Sequence, residues 1–134
     1  MIIKLDTKST IPIYVQLRNQ IVMGIGKGYL KIGEGLPTVR QLAEDIGVNT
    51  MTVNKTYGIL KNEGYIEIDR RKGAQVSPTV DPTGVFREKL ESELMLLTAE
   101  STLKGISREE FMKICTEAYN KLNPTKLDLA GGTT

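Results

Sequence analysis

Apolar residues recur every fourth position from Ile13 through Leu17 and Ile21 to Ile25, and Tyr14 and Val22 widen the stripe. That period puts them on one face of a helix beginning near Pro12, because proline suits a first turn, where its missing N–H would be unpaired anyway. Gly24, Gly26, Gly28, Gly33 and Gly35 then break the pattern and predict a turn-rich connection. Their spacing matches neither GxxxxGK[ST] nor GxGxxG, which argues against a phosphate-binding loop. A second helix is predicted after Pro37, where Thr38 followed by Gln41 is a capping-box pattern. Val39, Leu42, Ala43 and Ile46 form its apolar face, Gly47 is a left-handed stop, and Val48 follows as a buried plug. Asn49 can cap a third helix by accepting from the N–H of Met51 or Thr52. That helix runs to about Glu63, with Val53, Tyr57 and Leu60 inward and Gly64 as its stop.

The period then changes. Tyr65-Ile66-Glu67-Ile68-Asp69 alternates, which predicts a strand with Ile66 and Ile68 on one face. Arg70, Arg71, Lys72 and Gly73 form a tip, and Ala74-Gln75-Val76-Ser77 returns as the second strand. Two prolines, Pro78 and Pro82, with Gly84 mark a short linker. Two more helices are predicted over 84–122. Phe86, Leu90, Leu94 and Leu97 form a stripe on the first, while Val85, Met95, Leu96, Ala99 and Leu103 lie elsewhere around it. Gly105 breaks the chain and Ser107 with Glu110 is a second capping-box pattern. Phe111, Ile114, Cys115, Ala118 and Leu122 share one side of the last helix.

The organisation read from these elements is a module over 1–77, a linker over 78–84, a helical hairpin over 85–123 and a tail over 124–134, whose last five residues have nothing to bury and are expected to fray. The fold class is mostly α with one small β-hairpin. Two short helices joined at Gly47 make a helix-turn-helix, and the basic hairpin after them makes the order of a winged helix.

Composition narrows the chemistry. Among the 134 residues there is no His and one Cys, which leaves no Ser-His-Asp or Cys-His site, no His-ligated zinc and no disulfide framework. No enzyme activity, metal or cofactor is expected. No apolar run reaches the roughly 18–20 residues of a membrane span, and the first ten residues lack a signal-peptide stretch, so a cytoplasmic protein without membrane contact is expected. The net charge of +2 divides unevenly. Residues 1–78 hold eleven basic and seven acidic side chains, a balance of +4, and residues 79–134 hold seven and nine, a balance of −2. That split fits a basic module facing a polyanion, and it also fits an ordinary solvated surface.

The start of the third helix, Asn49, Thr50, Met51, Thr52, Asn54 and Lys55, contains no acid. Asn can bond adenine in two places, Thr can reach base or phosphate, and Lys suits guanine or phosphate. The same residues would also serve as caps and a wetted face. The hairpin tip Arg70-Arg71-Lys72-Gly73 is either a solubilising turn or a grip on phosphate. The C-terminal hairpin has apolar residues on more than one side and too little chain for a core of its own. Phe86, Leu90, Leu94, Leu97, Phe111, Ile114 and Ala118 are therefore expected either at a homodimer interface or packed back on the first module. The hairpin is also short for an internal pocket of about 300 Å3, and no small-molecule effector is identified. Cys115 reads as a small core residue, with redox sensing as the alternative. Tyr57 reads as packing against the wing and first helix.

The segments IPIYVQLRNQI, LPTVRQLAEDIGVNTMTVNKTYGILKNEGYIEI and RRKGAQV together resemble the GntR family of bacterial transcription regulators, and the short C-terminal region resembles its YtrA subfamily. The resemblance covers residues 11–77. It implies a winged helix that binds double-stranded operator DNA, a separate C-terminal region for dimerisation or effector binding, and a regulator, specifically a repressor, acting as a homodimer on a palindrome. Arg40 matches the family arginine that contacts DNA. Asn49, Thr50, Thr52 and Asn54 fall at recognition-helix positions, and Lys72 and Gly73 match the wing tip. Thr50 and Asn54 stand where many members carry arginines. Arg71 replaces a wing glycine, and Ala74-Gln75 replaces a final pair that usually includes an aromatic. The resemblance therefore implies DNA binding without implying a base preference. A protein-binding winged helix and a nonspecific architectural DNA binder are the other classes this pattern admits.

Overall fold

The first helix, α1 (Ile13–Gly26), buries Leu17, Ile21 and Ile25, the stripe expected from its four-residue period. Pro12 sits just before it, and its carbonyl accepts from the N–H groups of Val15 and Gln16. The structure is a computed structural model that describes residues 2–81 and 83–123. The predicted tail over 124–134 and Pro82 of the predicted linker lie outside the described residues. After α1 come α2 (Val39–Ile46), α3 (Thr50–Asn62), the antiparallel pair β1 (Ile66–Asp69) and β2 (Gly73–Val76), then α4 (Val85–Leu103) and α5 (Arg108–Asn120). Among the described residues this is the expected class, mostly helical with one hairpin. The chain divides into two units, one holding the described residues up to Thr79 together with Asn123 and the other Val80–Leu122.

In the first unit α3 is the central element, packed on α1, α2 and β1. Val53, Thr56, Tyr57 and Leu60 form its buried side. They meet Leu17, Ile21 and Ile25 of α1, Leu42 and Ala43 of α2, and Ile66, Ala74 and Val76 of the hairpin in one core. Each large apolar side chain fully buried there contributes roughly 1.5–3 kcal/mol. Gly47 ends α2 at φ 71°, a left-handed angle that lets the chain turn sharply into α3. Two polar groups complete the packing. The Tyr57 hydroxyl donates to the Pro37 carbonyl at 2.7 Å, tying α3 to the entry of α2. The buried Thr56 hydroxyl is 3.0 Å from the Thr52 carbonyl and 3.3 Å from that of Tyr14 on α1.

The structure departs from the sequence pattern at several points. The glycine-rich stretch after α1 is more than a connection, because residues 33–36 run along the free edge of β2. Gly33 N–H donates to Val76 O at 2.7 Å, Val76 N–H to Glu34 O at 2.9 Å and Leu36 N–H to Ala74 O at 2.8 Å. Leu30 and Leu36 thereby enter the core. The N-terminal segment is also structured. Lys4 N–H and Asp6 N–H donate to the side-chain oxygens of Gln20 and Gln16, each at 2.8 Å, which lays Ile3 and Leu5 against the core. Ile66 is 2% exposed but Ile68 is 47% exposed, although Ala74, its partner across the hairpin, stays in the core. Val48 is only half-buried. Tyr57 lies in the core with residues of α1 and the hairpin, as expected, and adds a hydrogen bond to Pro37 that the pattern does not show. Thr38 caps α2 by accepting from Gln41 N–H at 3.0 Å, but the Gln41 amide turns to Asp45 at 2.9 Å instead of closing the box.

Residues 77–79 continue the first unit. Ser77 N–H donates to Tyr65 O, and both the N–H and the hydroxyl of Thr79 donate to Gly64 O. Gly64 has φ 85°, and a Cβ there would stand 2.5 Å from Thr79 Oγ1. Backbone strain and this close approach act together. Gly64→Ala is therefore expected to lower the unfolding free energy by about 1–3 kcal/mol. An unchanged urea midpoint would show that the Gly64–Thr79 approach carries no constraint.

Burial pushes the Tyr57 phenol from its ordinary 10 up to about 12. The stability this protonated group contributes is complete below pH 10 and is lost as pH rises through about 12. The unfolding free energies of wild type and Tyr57→Phe, compared across that window, should converge as pH rises. Parallel profiles would mean that the phenol is not linked to folding.

Candidate nucleic-acid interface

The Asn49 carboxamide oxygen accepts from Met51 N–H at 2.7 Å and starts α3, as its sequence position suggests. From there successive side chains turn about 100° around the helix. Val53, Thr56, Tyr57 and Leu60 face the core, which directs Met51 and Lys55 nearly straight outward. Thr50 and Asn54 are exposed on one flank, and Thr52 is half-buried on the other, toward α1. Met51 is 76% exposed, an apolar side chain at the most outward position of the first turn.

On the α1 side Met51, Thr52 and Lys55 join Ile13 and Tyr14 around an open groove of about 390 Å3. The Lys55 Nζ sits 3.9 Å from the centre of the Tyr14 ring. In the sequence pattern Tyr14 only widens the core stripe. Its half-buried place at the first turn of α1, facing a lysine on another helix, leaves no local signal.

Arg40 is exposed in the first turn of α2, with no acid in that turn. Arg70, Arg71 and Lys72 are exposed at the hairpin tip, a three-residue loop closed by Gly73 at φ 76°. Asp69 orders this tip, because its Oδ1 accepts from the N–H of Arg71 at 2.6 Å and of Lys72 at 3.3 Å. In the alternating pattern Asp69 marks only the end of a strand, although an Asp just before a turn is a turn signal. Among the described residues the ion pairs are Arg18–Glu63 at 2.9 Å and Arg87–Glu91 at 2.8 Å. Burial disfavours the Arg18 charge, but Glu63 and Tyr65 more than offset it, so its pKa is raised. Arg40, Lys55, Arg70, Arg71 and Lys72 take part in no such pair among the described residues.

The second unit has no fully buried side chain in either helix. Phe86, Leu90, Leu94 and Leu97 on α4 and Ile114 on α5 are each 42–54% exposed. Phe111 and Cys115 are half-buried and Ala118 is exposed. Cys115 is thus not enclosed within the single chain. The Ser107 hydroxyl accepts from Glu110 N–H at 3.1 Å and caps α5. No helix among the described residues is long and apolar enough to cross a membrane.

The pattern of the bacterial regulatory proteins, gntR family, matches residues 13–76. The HTH-type transcriptional repressor YtrA of Bacillus subtilis is 34% identical over 110 residues, 81% of this chain and 85% of that protein. The solved structure of YtrA from Sulfolobus acidocaldarius, a GntR-family transcription factor, is similar with a TM-score of 0.64 and 39% identity, over 74% of this chain and 99% of that one. A transcriptional antiterminator from Listeria monocytogenes EGD-e is similar with a TM-score of 0.81 and 26% identity, over 95% of this chain and 97% of that one. The relatives are DNA-binding transcriptional regulators rather than enzymes, and their likeness extends over both units. With its winged-helix unit and this agreement, the chain belongs to the GntR family of bacterial regulatory proteins.

Proposed function

We propose that the protein is a cytoplasmic transcriptional repressor that binds a palindromic operator as a homodimer. The observation that carries this reading is the outward face of α3. Its first two turns present Thr50, Met51, Asn54 and Lys55, with no acidic side chain and with an inner face fully committed to the core. Such a helix can enter a major groove, where Asn54 can pair with adenine and Thr50 can reach a base edge or phosphate. Asn49 spends its oxygen on the cap, which leaves its amide N–H groups for DNA. Arg40 sits at the start of α2 and Arg70, Arg71 and Lys72 on the tip ordered by Asp69, with Gly73 closing the turn. These cations suit phosphate. The name of the Bacillus relative supports repression over activation.

The second unit supports the homodimer. The stripe of Phe86, Leu90, Leu94 and Leu97, with Phe111, Ile114 and Ala118 of α5, lies at least partly open in one chain. A second copy covers such a face at the least cost, since a two-fold axis lets the same patch serve both sides. That axis would set two copies of α3 in half-sites about 10 bp apart or a multiple of it.

Selection of bound sequences from random DNA should return a palindrome, bound at least about 1,000-fold more tightly than random duplex at moderate salt. A preference of only a few-fold would replace this reading with an architectural one, and no binding at about 50 mM salt would favour a protein partner. Lys72→Ala should weaken selected and random duplexes alike and reduce the slope of log K against log salt by about one. Asn54→Ala should lose affinity only for the selected sequence, by about 1–3 kcal/mol. Equal loss on random DNA would remove Asn54 from the reading set.

Sedimentation gives a second test. The wild-type chain, 14.8 kDa, should sediment at twice that mass, and Leu94→Glu should sediment as a monomer with its helix content retained. A monomeric wild type that still selects a palindrome would overturn the dimer.

A further inference from the structure

We propose that Tyr14 is a positioning residue for DNA recognition. Its ring holds the Lys55 ammonium at the α1 flank of α3, where it meets a phosphate rather than a base edge. This inference rests on the DNA-binding reading and assigns within it a residue of α1 and the target of Lys55.

A lysine head on a flexible four-carbon stem has no preferred place on a free helix surface. Here it has one, because the Nζ lies 3.9 Å from the Tyr14 ring centre, within the range of cation–π attraction. The backbone that carries the ring is itself anchored to α3. The Tyr14 carbonyl lies 3.3 Å from the Thr56 hydroxyl, and Thr56 is completely buried in α3. Ile13, Met51 and Thr52 complete the wall of the groove around the pair. No acid competes for the ammonium, since the first turns of α1 and α3 contain none and Lys55 forms no ion pair among the described residues. An ammonium has three donors, and stacking on one ring face leaves N–H groups free for an anion.

The direction of the tether decides which anion. Without it, Lys55 would stand beside Met51 on the outward face, within reach of guanine. Drawn to Tyr14, it lies toward the flank that a helix seated in a major groove turns to the backbone. A preplaced cation also loses less freedom on meeting its phosphate than a free one.

The test is anisotropy titration of the full chain against a selected duplex and a scrambled duplex of the same length, over about 50–200 mM KCl. Circular dichroism checks the fold of each variant. Tyr14→Phe keeps the ring face and should bind as wild type. Tyr14→Leu should lose about two- to five-fold on both duplexes at low salt. Tyr14→Met serves the same purpose if the leucine variant fails to fold. Lys55→Gln should lose affinity on both duplexes and flatten the salt slope by about 0.9. Adding a Tyr14 change to Lys55→Gln should cost nothing more.

Independent, additive losses overturn the proposal, as does a loss confined to the selected duplex. Equal loss in Tyr14→Phe also overturns it, because the hydroxyl would then be the active group. Wild type that binds DNA while the leucine and methionine variants match it sinks this inference alone. Wild type that binds neither duplex sinks the DNA-binding reading and this inference together.

Discussion

A helix that is to present a readable face must be held entirely by its other side, and α3 is held in this way. Val53, Thr56, Tyr57 and Leu60 share one side of the helix, an arc of about 100°, and place it against α1, α2 and β1 at once. Because packing in such a core is dense, α3 cannot rotate without displacing several neighbours. The two polar bonds make the hold directional. Tyr57 reaches the Pro37 carbonyl where α2 begins, and Thr56 sets a hydroxyl beside the Tyr14 carbonyl of α1. Both satisfy carbonyls near the starts of neighbouring helices, so the beginnings of α1 and α2 are indexed to the same inner face of α3. The outward positions of Thr50, Met51, Asn54 and Lys55 follow from that arrangement rather than from contacts of their own.

The same unit leaves several charges uncompensated. The pairing of Arg18 with Glu63 shows that acids are available where packing asks for them. Arg40, Lys55 and the tip cations have no such partner among the described residues. The tip is the sharpest case, since three adjacent positive side chains repel one another. Asp69 offsets this through its backbone bonds to Arg71 and Lys72, which fix the turn while leaving the side chains outward. A turn that only needed solubility would gain nothing from ordered like charges. Order becomes useful when an anion of regular spacing is to be met.

Much of this could be read from local spacing. Repeats of three and four located the five helices of the described residues, and alternation located the hairpin. The caps at Thr38, Asn49 and Ser107 were legible because each needs only a short side chain and an N–H two or three residues on. What escaped was non-local. Residues 33–36 contain two glycines and have no alternation, yet their backbone completes the edge of β2. Ile3 and Leu5 are held by Gln16 and Gln20, glutamines that look like ordinary surface residues of α1. Ile68 keeps the face of Ile66 and pairs with the buried Ala74, but alternation cannot show which side chains of that face other elements cover. At the candidate interface the contiguous residues, Asn49 to Lys55 and Arg70 to Gly73, were legible as a group. Tyr14 was not, since its relation to Lys55 spans 41 positions and depends on how two helices pack.

The two units differ in how their apolar residues are used, and that difference bears on assembly. In the first, thirteen hydrophobic residues are buried in one cluster that includes all three helices and the hairpin. In the second, two helices of 19 and 13 residues bury none completely. Two helices can cover each other along one seam only, whereas α4 carries apolar side chains on several sides, Met95 and Leu96 as well as Leu90 and Leu94. More loops or a longer α5 would add chain without closing the far side of α4. A second hairpin would close it, and would do so through the same residues on both copies. On that reading, the exposure of this unit is a requirement for two copies rather than a defect of one. Such a dimer would also join two copies of α3 into one binding event, so that affinity for a pair of half-sites could far exceed that of either copy alone.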